Sequence, residues 1–416
     1  MARFGAKLPV TDFHTWIDQY ARPGTLWFIK RLSGNDTLAT EAHQAGPYLP
    51  KSIVFEIFPE INRPHDRNPD VSVSTYIDSH VDHRDSRIVW YNNRLHGGTR
   101  NETRMTRFGG AASAMLNPDS TGSIACLSFV LDQNGHATEC HIWVCDNSIE
   151  EDVIEDRFGP VEPKEFIIWR PGLIPEQALG AAAHGGCTLT REQIPPDWLT
   201  KFPRGEEIVA MTRNLRPDAD KTVDERLVRR RDCEYEIFKS IEEAVYLPRM
   251  GAGFDSIDSF VGLAQTILQS RKSRSGTSLE LHTRDIMVEE RLVNGTDFAH
   301  RPVIEVNKRP DFIFPSVAAY NDPSYPRERL RMLAAKTTCK DRWRQITTEA
   351  NNIRVKHLLT LQEGVSTNQF REMIEQNVQL VVPLGLHNSY PAEVRPHLLT
   401  LEAFIADVRV QNRGGS

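Results

Sequence analysis

Short apolar segments separated by turn-forming residues dominate the first part of the chain, from residue 1 to residue 175. Apolar runs of strand length occur at residues 53–57, 71–73, 87–91 and 124–131. Runs of this length, bounded by Gly, Pro, Asn and Asp, are typical of β-strands. The pattern therefore predicts a mainly β, barrel-like domain over residues 1–175.

The rest of the chain follows a different pattern. A stretch rich in Gly, Ala and Pro predicts a linker or hinge over residues 176–190. Apolar residues at helical spacing follow at 235–246 and 260–270, ahead of short strand-like runs. We therefore expect an α/β domain over residues 191–416.

Two of these short runs carry charged residues of chemical interest. Apolar residues 312–314 follow the turn-forming Pro310, which predicts a strand with Asp311 at its start. Residues 332–338 predict a second strand with Lys336 in its middle.

A helix is predicted from Asp341 onward, with Arg342, Ile346 and Glu349 on one face. In this arrangement Glu349 faces the strand that carries Lys336. The strand, strand and helix together form a corner at which two carboxylates and one ammonium group meet.

These residue types suit the hydrolysis of a phosphodiester. Mg²⁺ prefers carboxylate oxygens, such as those of Asp311 and Glu349. A bound metal polarises a phosphoryl oxygen and lowers the pKa of a bound water. Lys336 would stabilise the negative charge that develops on the phosphate. The spacing alone is equally compatible with a solvated helix face beside a hairpin.

The predicted helix begins with three polar residues, Lys340, Asp341 and Arg342. Arginine donates two hydrogen bonds to guanine O6 and N7, and aspartate accepts one from cytosine N4. The trio therefore suits the reading of a G·C pair in the major groove, with solvated charge as the alternative.

Ordered motifs over nearly the whole length resemble those of EcoRII-type restriction endonucleases. In chain order the matching segments are Lys30-Arg31-Leu32-Ser33, Thr99-Arg100-Asn101-Glu102, Ile142-Trp143-Val144-Cys145, Ser278-Leu279-Glu280-Leu281-His282, Arg309-Pro310-Asp311-Phe312, the run from Lys336 through Gln345, and Thr360-Leu361-Gln362-Glu363-Gly364-Val365-Ser366. The resemblance implies a multidomain fold, with an N-terminal mainly β pseudobarrel effector domain and a C-terminal α/β core of the PD-(D/E)XK restriction-endonuclease-like type.

The same resemblance implies a type IIE enzyme. Members of the family are Mg²⁺-dependent homodimers that cut double-stranded DNA at CC(A/T)GG and leave 5′ phosphates. Their effector domain binds a further copy of the site and relieves autoinhibition of the nuclease domain.

Residue roles are also implied by the motifs. The catalytic set is Glu280, Asp311, Tyr320, Lys336 and Glu349, with Asp311 and Glu349 as metal ligands. Lys340, Asp341 and Arg342 fall on the segment that reads the CC/GG pairs, and Arg231 and Tyr235 fall where related enzymes hold a flipped base. The effector DNA is held by the set His43, Tyr48, Arg100, Glu102 and Arg104.

The effector segment departs from the family pattern at two positions. Gly98 and Thr103 stand where the better-known member has lysines. Because each lost cation removes a phosphate contact, we expect weaker effector binding with a flatter salt dependence.

Composition agrees with an ordinary globular protein, with 39% hydrophobic and 25% charged residues. No apolar run approaches the roughly 18 residues needed to span a membrane, and the N-terminus lacks a signal-peptide core, so a cytoplasmic location is expected. The six cysteines have no close CxxC pair, so reduced thiols are expected. A zinc site at Cys140, His141 and Cys145 is disfavoured, because neighbours in a strand point to opposite faces.

The net charge of −6 conceals an uneven distribution. Cations cluster at residues 226–231, 271–274 and 327–344, whereas acids gather at residues 150–156. This partition suits DNA binding through one cleft. It also suits inhibition when an acidic surface or the N-terminal domain covers that cleft.

Other functions compete with this one. A DNA-binding regulator with a decayed nuclease half is disfavoured by the intact Asp311, Lys336 and Glu349. A structure-specific repair or mismatch endonuclease of the same superfamily is disfavoured by the base-reading trio at 340–342. A non-nuclease phosphodiesterase is a third alternative.

Overall fold

A computed structural model describes residues 12–40, 46–172, 186–305 and 308–413. The helices are α1 (Phe13–Tyr20), α2 (Lys51–Ile57), α3 (Ser148–Phe158), α4 (Pro196–Thr200), α5 (Gly205–Leu215), α6 (Val223–Gly251), α7 (Ile257–Glu289), α8 (Val317–Asn321), α9 (Trp343–Ile346), α10 (Thr367–Glu375) and α11 (Leu401–Arg413). The strands are β1 (Thr25–Arg31), β2 (Tyr48–Leu49), β3 (Asp70–Ile77), β4 (Asp82–Tyr91), β5 (Glu102–Thr106), β6 (Ile124–Leu131), β7 (Ala137–Val144), β8 (Phe166–Trp169), β9 (Ala299–His300), β10 (Phe312–Phe314), β11 (Arg331–Ala335), β12 (Lys356–Leu359) and β13 (Val378–Val381).

The N-terminal part is a mainly β domain, as the fold prediction required. Its described strands form one sheet in the order β2-β5-β4-β3-β7-β6-β1-β8. Side chains alternate along β1, so Leu26 and Phe28 enter one apolar cluster while Trp27 and Ile29 enter another. The central strands are therefore buried on both faces, one cluster packing against α2 and the other against α1 and α3.

Three of the four predicted N-terminal strands are confirmed. Residues 124–131 are β6, and residues 71–73 and 87–91 lie within β3 and β4. The prediction of a strand at residues 53–57 is wrong, because these residues form α2. The buried side chains of this segment are Ile53, Val54 and Ile57, a spacing that lines one face of a helix.

The C-terminal part is an α/β domain built on a mixed sheet in the order β13-β12-β11-β10-β9. β10 is antiparallel to its neighbours β9 and β11, whereas β12 runs parallel to β11 and β13. Both faces of the sheet are covered: Met332 and Ala334 of β11 enter the cluster on the side of α9 and α10, and Leu333 and Ala335 enter the cluster beside α6, α7 and α11. The middle of β11 is therefore apolar on both faces.

Cysteine pairing differs from the prediction. The structure contains a disulfide between Cys187 and Cys233, so the expectation of reduced thiols throughout is wrong for this pair. The sequence separation of 46 residues hides the pairing, because only the fold brings Cys187 against α6. Most of the predicted linker at 176–190 lies outside the described residues.

The described helices include none that combines the length and the apolar character needed to cross a membrane.

Candidate active site and DNA-facing surfaces

Asp311 immediately precedes β10, and its side chain lies against the C-terminal end of β11. Asp311 Oδ2 accepts hydrogen bonds from the Ala335 backbone N–H at 2.8 Å and from Lys336 Nζ at 3.2 Å. Asp311 and Lys336 each lie an even number of residues from Ile313 and Ala334, so both point to the sheet face covered by α9 and α10. This shared face explains why the two side chains meet.

Lys336 lies beyond the end of β11, which stops at Ala335. The prediction of a strand continuing to residue 338 is therefore wrong. The Lys336 backbone N–H still bonds to Leu359 O at 2.9 Å, which keeps it in register with β12. Its ammonium group thus stands at the rim of the sheet, where the apolar cover ends.

Glu349 reaches the same place, though not from a helix. The predicted helix from residue 341 through residue 350 is wrong, since α9 covers only Trp343–Ile346. Glu349 lies in the turn that follows, and burial raises the pKa of its carboxyl, with Lys336 opposing and Asp311 adding to the rise. Glu349 is therefore near enough to Lys336 and Asp311 for both charges to act on its carboxyl.

The donor set fits a hard divalent cation. Among the described residues, Glu349 has no hydrogen-bond partner for its carboxylate, and Asp311 Oδ1 is likewise uncommitted. Magnesium is commonly held by one or two carboxylates together with water and substrate phosphate. No group of three or more His, Cys, Asp or Glu side chains in the described part of the chain is arranged to hold a metal, so substrate oxygens would have to complete the coordination.

Glu280 lies on α7 and is connected to Asp311 through Arg301. It is buried on α7 and accepts hydrogen bonds from His300 Nε2 and Arg301 Nε, each at 2.5 Å, and from Arg301 Nη2 at 2.7 Å. Burial raises the pKa of Glu280, but these hydrogen bonds outweigh it and leave the pKa below its usual value. The Arg301 backbone N–H in turn bonds to Asp311 O at 2.9 Å, so Glu280 is linked to the site through Arg301.

Tyr320 is buried on α8, close in sequence to Asp311 but turned toward another partner. Its hydroxyl donates to Glu305 and accepts from the Asn352 backbone N–H at 3.3 Å. Burial and the Glu305 hydrogen bond raise the pKa of Tyr320 to about 12. In the described residues Tyr320 therefore contacts the turn after Glu349 rather than Asp311 or Lys336.

The predicted base-reading trio is engaged by the N-terminal domain. Lys340 is buried, and its Nζ donates to Ser123 Oγ and to the backbone carbonyls of Cys145 (3.3 Å) and Asp146 (3.4 Å). Arg342 forms an ion pair with Glu155 of α3 at 3.3 Å, and Asp341 pairs locally with Arg344. Two of the three side chains are therefore committed within the protein.

Arg231, one of the two predicted base-holding residues, is also held by the N-terminal domain. It is buried on α6 and forms ion pairs with Glu162 at 2.9 Å and with Glu234 at 3.0 Å. Arg274 adds a second contact to Glu162, at 3.5 Å, and its guanidinium lies 4.5 Å from the centre of the Tyr235 ring. The face of Tyr235 is therefore covered by a cation of the protein.

A cavity of about 340 Å³ adjoins this cluster at the domain boundary. Its lining includes Arg231, Tyr235, Arg274, Glu162 and Glu165. The pKa of Glu162 lies below its usual value because the two arginines outweigh the effect of burial. Burial, and then the Glu162 carboxylate, raise the pKa of Glu165 to about 8.

The predicted effector surface lies at the β2–β5 edge of the N-terminal sheet. Tyr48 of β2 is paired in register with Arg104 of β5. Glu102 bridges Arg100 and Arg104, with an Arg104 Nε distance of 3.1 Å, and the Arg100 guanidinium stacks 3.8 Å from the centre of the Tyr91 ring. These groups form one polar surface.

Two further features of that segment bear on the predictions. Thr103 is fully buried and donates to Leu49 O, so its side chain faces the interior and not the polar surface. Gly98 lies on an exposed turn. His43 lies outside the described residues.

Several residues that matter here were missed from the sequence. Glu155 and Glu162 belong to acidic or mixed segments whose partners lie more than 60 residues away. Charge complementarity pointed to the segment but not to the pairs. Lys356 carried a clearer signal, since it is a lysine shortly before the apolar pair Leu358-Leu359 and is buried at the start of β12.

The raised pKa of Glu165 predicts that the stability of the folded protein depends on pH near this residue. The carboxyl is neutral in the folded protein at neutral pH, so its contribution to stability is present below its unfolded pKa and is lost as pH rises through about 8. Between pH 6 and pH 9 we expect the melting temperature of the wild type to fall relative to that of Glu165→Gln, because glutamine does not titrate. Calorimetry at both pH values measures this, and a gap that does not change with pH would contradict the assignment.

Known proteins with similar sequences agree with this architecture. Residues 21–172 match the family model described as restriction endonuclease EcoRII, N-terminal, and residues 238–405 match the model described as EcoRII C terminal. The chain is 45% identical over 399 residues to the type II restriction enzyme EcoRII of Escherichia coli, covering 95% of this chain and 97% of that protein. It is 28% identical over 134 residues to the type II restriction enzyme SsoII of Shigella sonnei, covering 30% of this chain and 42% of that protein.

Among solved structures, metal-depleted Ecl18kI in complex with uncleaved, modified DNA is similar at 20% identity and a TM-score of 0.43, covering 52% of this chain and 80% of that one. The sequence relationship to the E. coli enzyme extends through both domains and includes the segments that carry the site. The chain belongs to the EcoRII family of type II restriction endonucleases, which are site-specific deoxyribonucleases.

Proposed function

We propose that this enzyme cuts double-stranded DNA at a CC(A/T)GG-like site by Mg²⁺-dependent hydrolysis of a phosphodiester in each strand. The observation that carries the proposal is the contact between Asp311 and Lys336 at the end of β11, with Glu349 near enough for both charges to act on its carboxyl. Residues 340–342 follow Lys336 directly, so cleavage and base reading share one segment. A DNA substrate places this activity in the cytoplasm.

Each side chain of the site has a distinct task. When bound, Mg²⁺ supplies a Lewis acid that polarises the phosphoryl oxygen and lowers the pKa of a water molecule. Asp311 and Glu349 would hold the cation with their uncommitted oxygens. Lys336, anchored at 3.2 Å by Asp311, would stabilise the negative charge that grows on the phosphate. Attack by this water molecule on the phosphorus, in line with the leaving 3′ oxygen, would leave a 5′ phosphate and a 3′ hydroxyl.

Glu280 and Tyr320 are assigned indirect tasks. Glu280 would fix Arg301, whose backbone bonds to Asp311. Tyr320 would fix the turn after Glu349 through Asn352. Neither side chain needs to reach the phosphate in order to affect the rate.

Replacing Lys336 tests the chemical core of the proposal. Lys336→Ala should abolish cleavage of a plasmid that carries the site, because the charge of the transition state loses its ammonium partner, while affinity for the same DNA stays close to wild type. Cleavage is followed on gels and affinity by fluorescence anisotropy without metal. The exposed Lys201→Ala is the matched control, and retained cleavage in Lys336→Ala would reject the role.

Base reading would fall to the segment after the sheet. Lys340, Asp341 and Arg342 would contact the C·G pairs, and Arg231 and Tyr235 would hold a base turned out of the helix between a guanidinium and an aromatic face. Both tasks require these side chains to exchange their present protein partners for DNA.

Sequencing the ends of digested genomic DNA tests the recognition proposal. Wild-type ends should map to CC(A/T)GG-like sites, whereas Arg342→Ala should cut sites altered at one pair with less discrimination, losing about 1–3 kcal/mol for a bidentate contact. Because Arg342 also contacts Glu155, the ratio of cutting at correct and altered sites is the decisive quantity, not the rate. An unchanged ratio, equal to that of the exposed control Arg371→Ala, would exclude the reading role.

We further propose that the enzyme acts as a homodimer and is activated by a second copy of its site. The N-terminal domain, proposed to span residues 1–175, would bind this copy through Tyr48, Arg100, Glu102 and Arg104, with His43 as a further candidate. Residues 176–190 would connect it to the nuclease domain at 191–416. The support for inhibition lies in the contacts that occupy Lys340, Arg342 and Arg231.

Loosening one of these contacts should relieve the inhibition. Glu162→Gln removes the charge that pairs with Arg231 and Arg274 and leaves the N-terminal core intact. We expect cleavage of a plasmid with a single site to rise by roughly 5- to 150-fold, the range of ordinary coupling energies, with a smaller effect on a plasmid with several sites. The exposed Glu60→Gln is the control, and equal rates on single-site DNA would argue against this closure.

A further inference from the structure

The turn that follows Glu349 has an unfavourable backbone conformation. Ala350 has a φ of +48°, in the left-handed region that residues with a Cβ avoid, and it is fully buried. A conformation of this kind persists only where surrounding contacts impose it. The side chains that impose it also determine where the neighbouring Glu349 carboxylate points.

One set of contacts comes from the sheet. Lys356 is 5% exposed, and its Nζ donates to Ala350 O at 2.7 Å and to Ile353 O at 2.6 Å. The Lys356 backbone is itself fixed, because its N–H bonds to Asn377 O at 2.9 Å beside β13. The ammonium group of Lys356 thus links β12 to the turn through two hydrogen bonds.

Burying the charged ammonium group of Lys356 costs free energy. Among the described residues no carboxylate forms an ion pair with it. Burial lowers the pKa of Lys356 to about 8, and the carboxylates of Glu305 and Glu349 oppose that shift. Both of its hydrogen bonds go to carbonyls of the turn. A buried ammonium whose direct partners are two carbonyls next to a proposed metal ligand points to a positioning task.

A second set of contacts reaches the turn from Glu305 and Tyr320. Glu305 accepts from the Asn351 backbone N–H at 3.0 Å and from Asn351 Nδ2 at 2.9 Å. Its Oε1 also accepts from the Tyr320 hydroxyl, and that hydroxyl accepts from the Asn352 N–H at 3.3 Å. The three residues after Glu349 are therefore held by side chains of three separate segments of the chain, namely those of Lys356, Glu305 and Tyr320.

We infer that Lys356, together with Glu305, which holds Asn351, is a positioning residue that sets the orientation of the Glu349 carboxylate in the nuclease site. Among the described residues neither side chain forms a hydrogen bond with Asp311 or Lys336, so their influence passes through the turn. The inference rests on the metal-holding role proposed for Glu349. It also gives Tyr320 a task, since its hydroxyl joins Glu305 to Asn352.

The test compares catalysis with cation binding in the full-length protein. Lys356→Met should lower kcat by about 10- to 100-fold, as expected for residues that orient a metal ligand. KM and metal-free DNA affinity should stay close to wild type. Mn²⁺ affinity, measured from the electron paramagnetic resonance signal of the free ion, should weaken in parallel. Lys356→Arg, which keeps a donor and a charge, should recover part of both losses.

Tyr320→Phe serves as the second variant, because it keeps the buried ring and so remains folded if Lys356→Met does not. It should shift kcat and Mn²⁺ affinity in the same direction. The exposed Lys201→Met controls for the loss of a lysine elsewhere. Normal kcat and Mn²⁺ affinity in the folded variants would overturn the inference.

A double-mutant cycle separates this inference from the function on which it rests. In a Glu349→Gln background, Lys356→Met should cause no further loss of Mn²⁺ affinity, because its effect acts through Glu349. An equal loss in both backgrounds would refute the positioning role and leave the nuclease site intact. If Glu349→Gln alone kept wild-type kcat and Mn²⁺ affinity, the proposed site itself would fall.

Discussion

The contact between the two domains depends on the pairing of buried cations. Arg231 and Arg274 of the nuclease domain are removed from water and share Glu162 of the N-terminal domain, while Lys340 is enclosed by Ser123 and two N-terminal carbonyls. An unpaired charge in such a setting costs several kcal/mol. The N-terminal domain therefore completes the coordination of cations that belong to the other domain.

This constraint explains how an acidic chain can belong to a family of DNA-cutting enzymes. The net charge of −6 is a sum over the chain, and in this structure acids of α3 and the following segment pair with cations of the C-terminal domain. Phosphate and base oxygens offer the same charge-assisted hydrogen bonds as carboxylates and carbonyls. DNA entry would then be an exchange of partners rather than a net desolvation, and it would be opposed only by the difference between the two sets of contacts.

The sequence was informative where a local pattern determines the structure. The apolar runs at 124–131 and 312–314 were sufficient to predict β6 and β10. The run at 53–57 is compatible with a strand or a helix. In the structure it is a helix that buries Ile53, Val54 and Ile57 on one face. The helix predicted from residue 341 failed because α9 ends at Ile346 and Ala350 adopts a left-handed conformation.

Of the predicted site, the approach of Asp311 to Lys336 is present as a contact of 3.2 Å, and Glu349 lies where both charges act on its carboxyl. The catalytic roles of the three residues stay predictions, and the path of the chain between Lys336 and Glu349 differs from the expected strand and helix. Partners separated by long stretches of chain were not predictable in this way. The pairing of Arg231 with Glu162, or of Cys187 with Cys233, depends on the packing of whole elements.

The same packing ties the reading segment to the position of the N-terminal domain. Gln362 Oε1 accepts from the Cys339 and Lys340 backbone N–H groups at 2.8 and 3.0 Å, which fixes the chain just beyond Lys336. Gly122 of the N-terminal domain lies against the Gln362 amide so closely that a Cβ at this glycine would come within 2.6 Å of Nε2. Separation of the domains would free Gln362 on one side and Lys340 on the other. Because Lys340 is only four residues from Lys336, a movement that exposes the base-reading side chains must begin next to the residue proposed to stabilise the transition state.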